Sequence, residues 1–119
     1  MVASKLQRLV SEIRACKHCA QHLPFEPNPI VRPSIKAKIL ITGQAPGTKV
    51  HETSISWNDA SGNTLREWMG VECDTFYGTG KIAIMPMGFC YPGKSKSGDL
   101  PPRPECAPKW HTPLLSLMP

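Results

Sequence analysis

Four of the five cysteines in this chain fall into a pattern that could bind a metal centre. Cys16 and Cys19 form a Cys-X-X-Cys pair, and Cys90 and Cys106 follow far downstream. Four thiolates can hold a cubane iron–sulfur cluster, and the same sulfurs can hold zinc in a tetrahedral site. Buried free cysteines also pack as small apolar side chains. A Cys-X-X-Cys pair with two further cysteines favours ligands over packing, and Cys73 lies outside the pattern.

A glycine- and proline-rich turn is the second feature that could form a binding site. The turn Gly43–Gly47 has the sequence Gly-Gln-Ala-Pro-Gly and directly follows the apolar run Ala37–Thr42. That run is short and rich in β-branched residues, which predicts a buried strand. Glycine and proline end strand pairing and let the backbone come close to a ligand. We therefore expect a ligand to lie against this turn.

The elements before the turn are a helix and a connector. Apolar residues recur at helical spacing at Leu6, Leu9, Val10 and Ile13. They predict a helix that begins with Ser4 as its N-cap and places Cys16 and Cys19 at its C-terminal end. Four prolines between residues 23 and 33 predict an extended surface connector after it.

Three more elements are predicted after the turn. A second helix should begin at Ser61 as N-cap and end at Gly70. Its buried face should carry Leu65, Trp68 and Met69. The run Lys81–Met87 predicts a second buried strand, whose pairing ends near Pro86. A last helical pattern covers roughly residues 105–118, and Pro113 should kink it.

The order strand, helix, strand, helix predicts an α/β fold with parallel pairing and crossover helices. We expect three layers, with helices on both faces of a central parallel sheet. The 119 residues are enough for one domain. Because two strands do not make a stable parallel sheet, we expect residues 1–119 to be the front part of a larger domain whose sheet is incomplete at the C-terminus.

Composition limits the class of protein and of partner. The chain has no apolar run near the roughly 20 residues of a membrane span, and it lacks the apolar core of a signal peptide. We expect a cytoplasmic, monomeric protein without a membrane partner, in a reducing compartment where cysteines serve as ligands. A net charge of +5 and a pI near 9.1 suit a polyanion such as nucleic acid. The basic loop Lys94–Arg103 could contact phosphates or serve only solubility.

These motifs together resemble the uracil-DNA glycosylase superfamily, and most closely its iron–sulfur branch. The resemblance rests on the turn Gly43–Gly47, on His51-Glu52-Thr53, on Trp57, on the helix start at Ser61-Gly62 and on the four-cysteine pattern. It implies a repair enzyme that flips a damaged nucleotide out of DNA and hydrolyses the bond between base and deoxyribose. It also implies a 4Fe-4S cluster on Cys16, Cys19, Cys90 and Cys106, with zinc as the alternative.

The resemblance assigns a role to each remaining motif residue. The substrate-binding residues would be Gly43, Ala45, Pro46, Gly47 and Trp57, with backbone amides of the turn facing the departing base and Trp57 as its stacking platform. The catalytic residues would be Gln44, His51 and Glu52. His51 or Glu52 could orient or deprotonate the attacking water, whereas Gln44 can only position it. The alternatives are a core role for Trp57 and a solvated loop at His51 and Glu52.

Two departures from the family pattern bear on activity. Many relatives have an asparagine near the end of the second strand that reads the pyrimidine edge, and Pro86 stands at the corresponding position. The family also has a late histidine motif, which this chain lacks, and His111 is not expected to replace it. The alternative function is therefore a non-catalytic metal- or cluster-binding module that binds nucleic acid, or an inactive fragment.

Overall fold

The computed structural model describes residues 2–78, 80–96 and 98–118. In these residues the helices are α1 (Val2–Arg14), α2 (Thr48–Thr53), α3 (Ala60–Met69), α4 (Cys73–Gly78) and α5 (Cys106–Ser116), with a single 3-10 turn at Ala20–His22. The strands are β1 (Ile39–Ile41), β2 (Ile82–Ile84), β3 (Lys94–Ser95) and β4 (Gly98–Asp99). None of the helices described is both long and apolar enough to cross a membrane.

The two longer strands pair in parallel, as predicted. The register aligns Ile39 with Ile82, Leu40 with Ala83, and Ile41 with Ile84. Helices α2, α3 and α4 lie between these strands in the chain, so the connection is a crossover. The mixed α/β class and the parallel pairing are therefore confirmed. The short strands β3 and β4 form a separate antiparallel hairpin that the sequence did not predict.

Backbone pairing continues beyond the strands into the glycine-rich turn. The Met87 N–H donates to the Gly43 carbonyl at 3.0 Å, and the Gly88 N–H donates to the Gln44 carbonyl at 2.9 Å. The chain after β2 therefore fixes the first half of the turn.

The hydrophobic core lies on both sides of β2. Side chains of a strand alternate between its two faces. Ile82 and Ile84 pack with Phe76 of α4, and partly buried side chains of α3 join them. Met85 lies in a second cluster with side chains of α1 and α5, which contact each other. Helices thus cover both faces of this strand, which gives the predicted three layers.

Helix α3 differs from its prediction at its start and on its buried face. It begins at Ala60 with Asp59 as N-cap, rather than at Ser61, because the Asp59 carboxylate accepts the Gly62 N–H at 2.8 Å. Trp68 is 82% exposed rather than buried, and Arg66 is only 7% exposed. Arg66 lies three positions before the core-packed Met69 and shares its helical face, whereas Trp68 lies on the other side of Leu65 and extends into solvent.

Three further expectations need correction. Ser4 lies inside α1 rather than at its cap, since the helix already includes Val2. Strand β1 is not buried: Ile39 is 49% and Leu40 is 42% exposed, because the described residues pair it with β2 alone. Helices α2 and α4 were not predicted, and both are only 6 residues long. Such short helices carry too few apolar repeats to be read from sequence.

Candidate functional site

A cavity of about 270 Å³ opens beside the glycine-rich turn. All five residues of Gly43–Gly47 line it, together with Trp57. The other lining residues are Ile30, Val50, Ser56, Asp59, Ser61, Ile84 and Pro86. The turn, the end of β2 and the segment before α3 therefore converge on one space, although they are distant in sequence. The structure brings together Gln44 and all five predicted substrate-binding residues.

The indole ring of Trp57 lies directly against the turn. A Cβ atom at Gly43 would lie 3.2 Å from Cζ2 of the ring, which is closer than ordinary van der Waals contact. Glycine therefore permits this close approach of ring and backbone. The Trp57 backbone has φ = 59°, in the left-handed region that non-glycine residues rarely adopt. Strain of this kind costs roughly 1–3 kcal/mol and persists only where the surroundings enforce it.

The start of α3 packs against the backbone of Trp57. A Cβ atom at Gly62 would overlap the Trp57 carbonyl oxygen, so only glycine fits there. The Gly62 N–H is the group that the Asp59 carboxylate caps. Because both Trp57 and Asp59 line the cavity, the helix start and the cavity wall are one structural unit.

A second, smaller cavity collects the predicted metal ligands. It measures about 30 Å³ and is lined by Cys16, Cys19, Cys90 and Cys106, among other residues. The end of α1 supplies the first pair, since the Cys16 N–H donates to the Ile13 carbonyl. The chain after β2 and the first residue of α5 supply the others. All four thiols are partly buried, whereas Cys73 is exposed.

Burial makes free thiolates unfavourable in this cavity. It raises the pKa of the Cys90 thiol to about 12 and that of the Cys106 thiol to about 11. The pKa of Cys19 is also raised, first by burial and then by the Glu105 carboxylate. Metal binding deprotonates thiols and supplies the positive charge that such thiolates need. The Phe89 N–H already donates to the Cys106 sulfur at 3.3 Å.

The four cysteines line one cavity, but they are not arranged as a metal-binding group. No group of three or more His, Cys, Asp or Glu side chains in the described part of the chain is close enough to hold one metal ion. The four sulfurs thus share a cavity without forming a ready single-ion site.

Comparison with protein-family models matches residues 31–119 to the Uracil DNA glycosylase superfamily. The match covers most of the chain and includes the turn, Trp57, Cys90 and Cys106. The chain belongs to the uracil-DNA glycosylase superfamily. The enzymes of this superfamily act on DNA, which agrees with the predicted class of partner. Cys16 and Cys19 precede the matched region, so the match itself does not bear on the complete four-cysteine set.

Two residues that the superfamily resemblance made catalytic lie outside the cavity lining. His51 and Glu52 belong to α2, which begins directly after the turn. The His51 ring lies 5.2 Å from the Phe25 ring and 6.0 Å from the Tyr91 ring, and its buried Nδ1 has no hydrogen-bond partner among the described residues. Glu52 is exposed. Their catalytic role stays a prediction.

Two lining residues were missed at the level of sequence. Ser56 is only 3% exposed, and its hydroxyl is buried without a partner in the described residues. A serine in an irregular segment gives no signal for such a position. Asp59 is the one ionisable side chain among the described residues that line the cavity. Its place before the Ala-Ser-Gly helix start was a recognisable N-cap signal.

Pro86 and His111 meet at the wall of the cavity. Pro86 lines the cavity, and it offers no side-chain hydrogen bond. His111 Nε2 lies 2.8 Å from the Pro86 carbonyl, which can only accept, so Nε2 carries the proton and donates it. The His111 ring also stacks on Phe89 at 5.7 Å. His111 thus supports the cavity wall from behind.

Proposed function

We propose that this chain is the base-binding part of a DNA glycosylase that hydrolyses the N-glycosidic bond of uracil or another deaminated base. The observation that carries the proposal is the single cavity in which the Gly43–Gly47 turn faces the ring of Trp57. A flipped base needs an aromatic face to stack on and hydrogen-bonding groups at its edge. Trp57 supplies the face, and the turn supplies backbone groups.

The turn is proposed to present donors rather than acceptors to the base. Three of its carbonyls, those of Gly43, Gln44 and Gly47, already accept backbone N–H groups outside the turn. Pro46 has no N–H, so the donors proposed for the ligand are the backbone amides of the other four turn residues. Preorganised N–H donors stabilise negative charge, and the base departs as an anion. The turn would therefore lower the barrier to bond cleavage.

Asp59 is our candidate for orienting the attacking water. One carboxylate oxygen caps α3, which fixes the side chain, and the other is free of that bond. A positioned carboxylate can orient or deprotonate a water molecule. Gln44 lines the same cavity and can hold the water by hydrogen bonding. His51 and Glu52 remain alternatives for this role, and they would have to reach the cavity from α2.

Ser56 is proposed to bind the edge of the base. A buried hydroxyl without a partner costs roughly 1–3 kcal/mol, so a ligand that completes its hydrogen bonding gains that energy. A hydroxyl both donates and accepts. Ser56 would thus take over part of the base recognition for which Pro86 has no polar group.

The smaller cavity lined by the four cysteines, called the thiol cavity below, is proposed to hold a 4Fe-4S cluster. Four partly buried thiols around one small cavity are the donor set that such a cluster uses. Zinc, the alternative, would use the same four sulfurs in a tetrahedral site. The resemblance to the iron–sulfur branch favours the cluster over zinc. When bound, it would supply a cross-link between the end of α1, the chain after β2, and α5.

The proposal is tested by base release from DNA. The chain and a Trp57→Ala variant are incubated with uracil-containing oligonucleotides, and abasic sites are detected by alkaline scission. Trp68→Ala is the matched control, since Trp68 is exposed on the outer face of α3. We expect scission with the wild type and with the control, and strongly reduced scission with Trp57→Ala. Equal scission in all three, or none with any deaminated base, would contradict the proposal.

A non-catalytic nucleic-acid-binding module is the second candidate. Pro86 favours it, because it lines the cavity without a polar side chain, and the superfamily resemblance implies an asparagine at this position. In that case the chain would bind the same oligonucleotides, with a salt-dependent affinity, and release no base.

A further inference from the structure

A buried cation holds the segment that carries Trp57. Arg66 is 7% exposed, and its guanidinium donates to the Trp57 carbonyl at 3.1 Å. It also donates to the Tyr77 hydroxyl at 3.0 Å and to the Asn63 side-chain oxygen at 2.8 Å. These three acceptors of the Arg66 guanidinium are all neutral oxygens.

Tyr77 extends this hold to the preceding residue. Its hydroxyl donates to the Ser56 carbonyl at 2.5 Å. The Arg66 guanidinium lies 5.1 Å from the centre of the Phe76 ring and 5.5 Å from that of Tyr77, so aromatic rings of α4 cover it. Two successive carbonyls, those of Ser56 and Trp57, are therefore fixed by side chains of α4 and α3.

This arrangement accounts for the strained conformation of Trp57. A tryptophan at φ = 59° needs external contacts to stay there. Hydrogen bonds from a charged donor are stronger than neutral ones, and burial strengthens them further. Arg66 bonds to the carbonyl of the strained residue itself, and that residue's ring lines the cavity.

We propose that Arg66 and Tyr77 are positioning residues that hold the Trp57 ring in its base-stacking orientation. This inference rests on the proposed function, because it deepens the role given to Trp57. Neither side chain lines the cavity between the Gly43–Gly47 turn and Trp57, called the base cavity below. Their effect on the base therefore passes through the backbone of Ser56 and Trp57. Removing one hydrogen bond should loosen the ring while the rest of the fold persists.

The test follows the ring directly by fluorine NMR of protein labelled with 5-fluorotryptophan. The chain has three tryptophans, and the Trp57 signal is the one lost in Trp57→Phe. Tyr77→Phe removes one hydroxyl and keeps the ring, and Arg66→Lys keeps the charge but not the planar donor fork. We expect both to shift or broaden the Trp57 signal and to leave those of Trp68 and Trp110 in place. Arg8→Lys, an exposed change on α1, should move none of them.

The kinetic arm uses uracil-containing DNA and the same variants. We expect Tyr77→Phe to raise KM about tenfold with a smaller change in kcat, because a loose platform weakens stacking. An unmoved Trp57 signal in Tyr77→Phe, or equal movement of all three signals, overturns the inference whatever the activity. If the wild type releases no base from DNA, the proposed function fails, and the fluorine spectra still decide whether Arg66 and Tyr77 hold Trp57.

Discussion

The thiol cavity and the base cavity are built in opposite ways. The thiol cavity gathers four side chains from distant segments, and the identity of those side chains defines it. The base cavity is formed mostly by one continuous stretch, residues 43–61, and backbone conformation defines it: Gly43 lies tightly against the ring of Trp57, and Trp57 itself has a positive φ. The first region therefore depends on residue type, and the second on where the backbone is held.

One segment joins the two regions. Residues 85–90 pair with the turn at one end, through Met87 and Gly88, and supply Cys90 to the thiol cavity at the other. Phe89 lies between them, buried, with its N–H on the sulfur of Cys106. A structural change at the thiol cavity should therefore also shift the turn, because fewer than six residues of backbone connect the two.

The largest expected effect comes from removing a thiol. Cys90→Ser should abolish stable iron binding and lower the free energy of unfolding by several kcal/mol, because the free energy of metal binding adds to that of folding. Iron content, visible absorbance and thermal unfolding measure this. Cys73→Ser is the matched control, since Cys73 is exposed and should change none of the three. Full iron content in Cys90→Ser would contradict the proposed cluster.

A smaller effect is expected from crowding the base cavity. Gly43→Ala places a Cβ atom 3.2 Å from the Trp57 ring, so the ring must shift by a few tenths of an ångström. We expect about a tenfold loss of kcat/KM, because catalysis is sensitive to such misplacement. Gly78→Ala is the control, because a Cβ atom there would meet nothing within 4 Å. Equal activity of the two variants would show that the position of the Trp57 ring does not affect catalysis.

Ser56→Ala should lower activity without lowering stability. The change removes a buried hydroxyl that has no partner in the described residues, so the melting temperature should stay the same or rise slightly. Base recognition should weaken by about 3- to 10-fold in kcat/KM. A lower melting temperature with unchanged kinetics would assign Ser56 a purely structural role.

The smallest effect separates two roles of Asp59. Asp59→Ala should lose the N-cap of α3, at a cost of about 1 kcal/mol, whereas Asp59→Asn should keep the cap. If Asp59 also orients the water, Asp59→Asn retains stability and loses activity. Glu52→Gln, an exposed change on α2, is compared beside it. If Glu52→Gln loses activity and Asp59→Asn does not, then Glu52 rather than Asp59 orients the attacking water.

The sequence predicted what depends on residue type and periodicity. The α/β class, the parallel pairing of β1 and β2, and the face of α1 that carries Leu6 and Ile13 are confirmed. The turn and Trp57 line one cavity, and their predicted substrate-binding roles stay predictions. The predicted roles of the cysteines are still predictions.

What the sequence missed depends on contacts between distant residues. Arg66 and Trp68 exchange the positions that hydrophobicity predicts, because Tyr77 and the Trp57 carbonyl satisfy the buried guanidinium. No pattern within α3 contains that information. Ser56 likewise becomes notable only when its burial and its lack of a partner are known.

The most direct measurement is binding of DNA that carries 2′-fluoro-deoxyuridine, an analogue whose glycosidic bond resists hydrolysis, so that binding is separated from chemistry. Affinity for this DNA is compared with affinity for the same sequence carrying thymidine, for the wild type, Trp57→Ala and Trp68→Ala. Our account predicts a preference for the analogue that Trp57→Ala reduces by about 5- to 150-fold, the range expected for loss of one base stack. Trp68→Ala should keep the preference. An unchanged preference in Trp57→Ala would contradict the claim that the cavity between the turn and Trp57 receives the base.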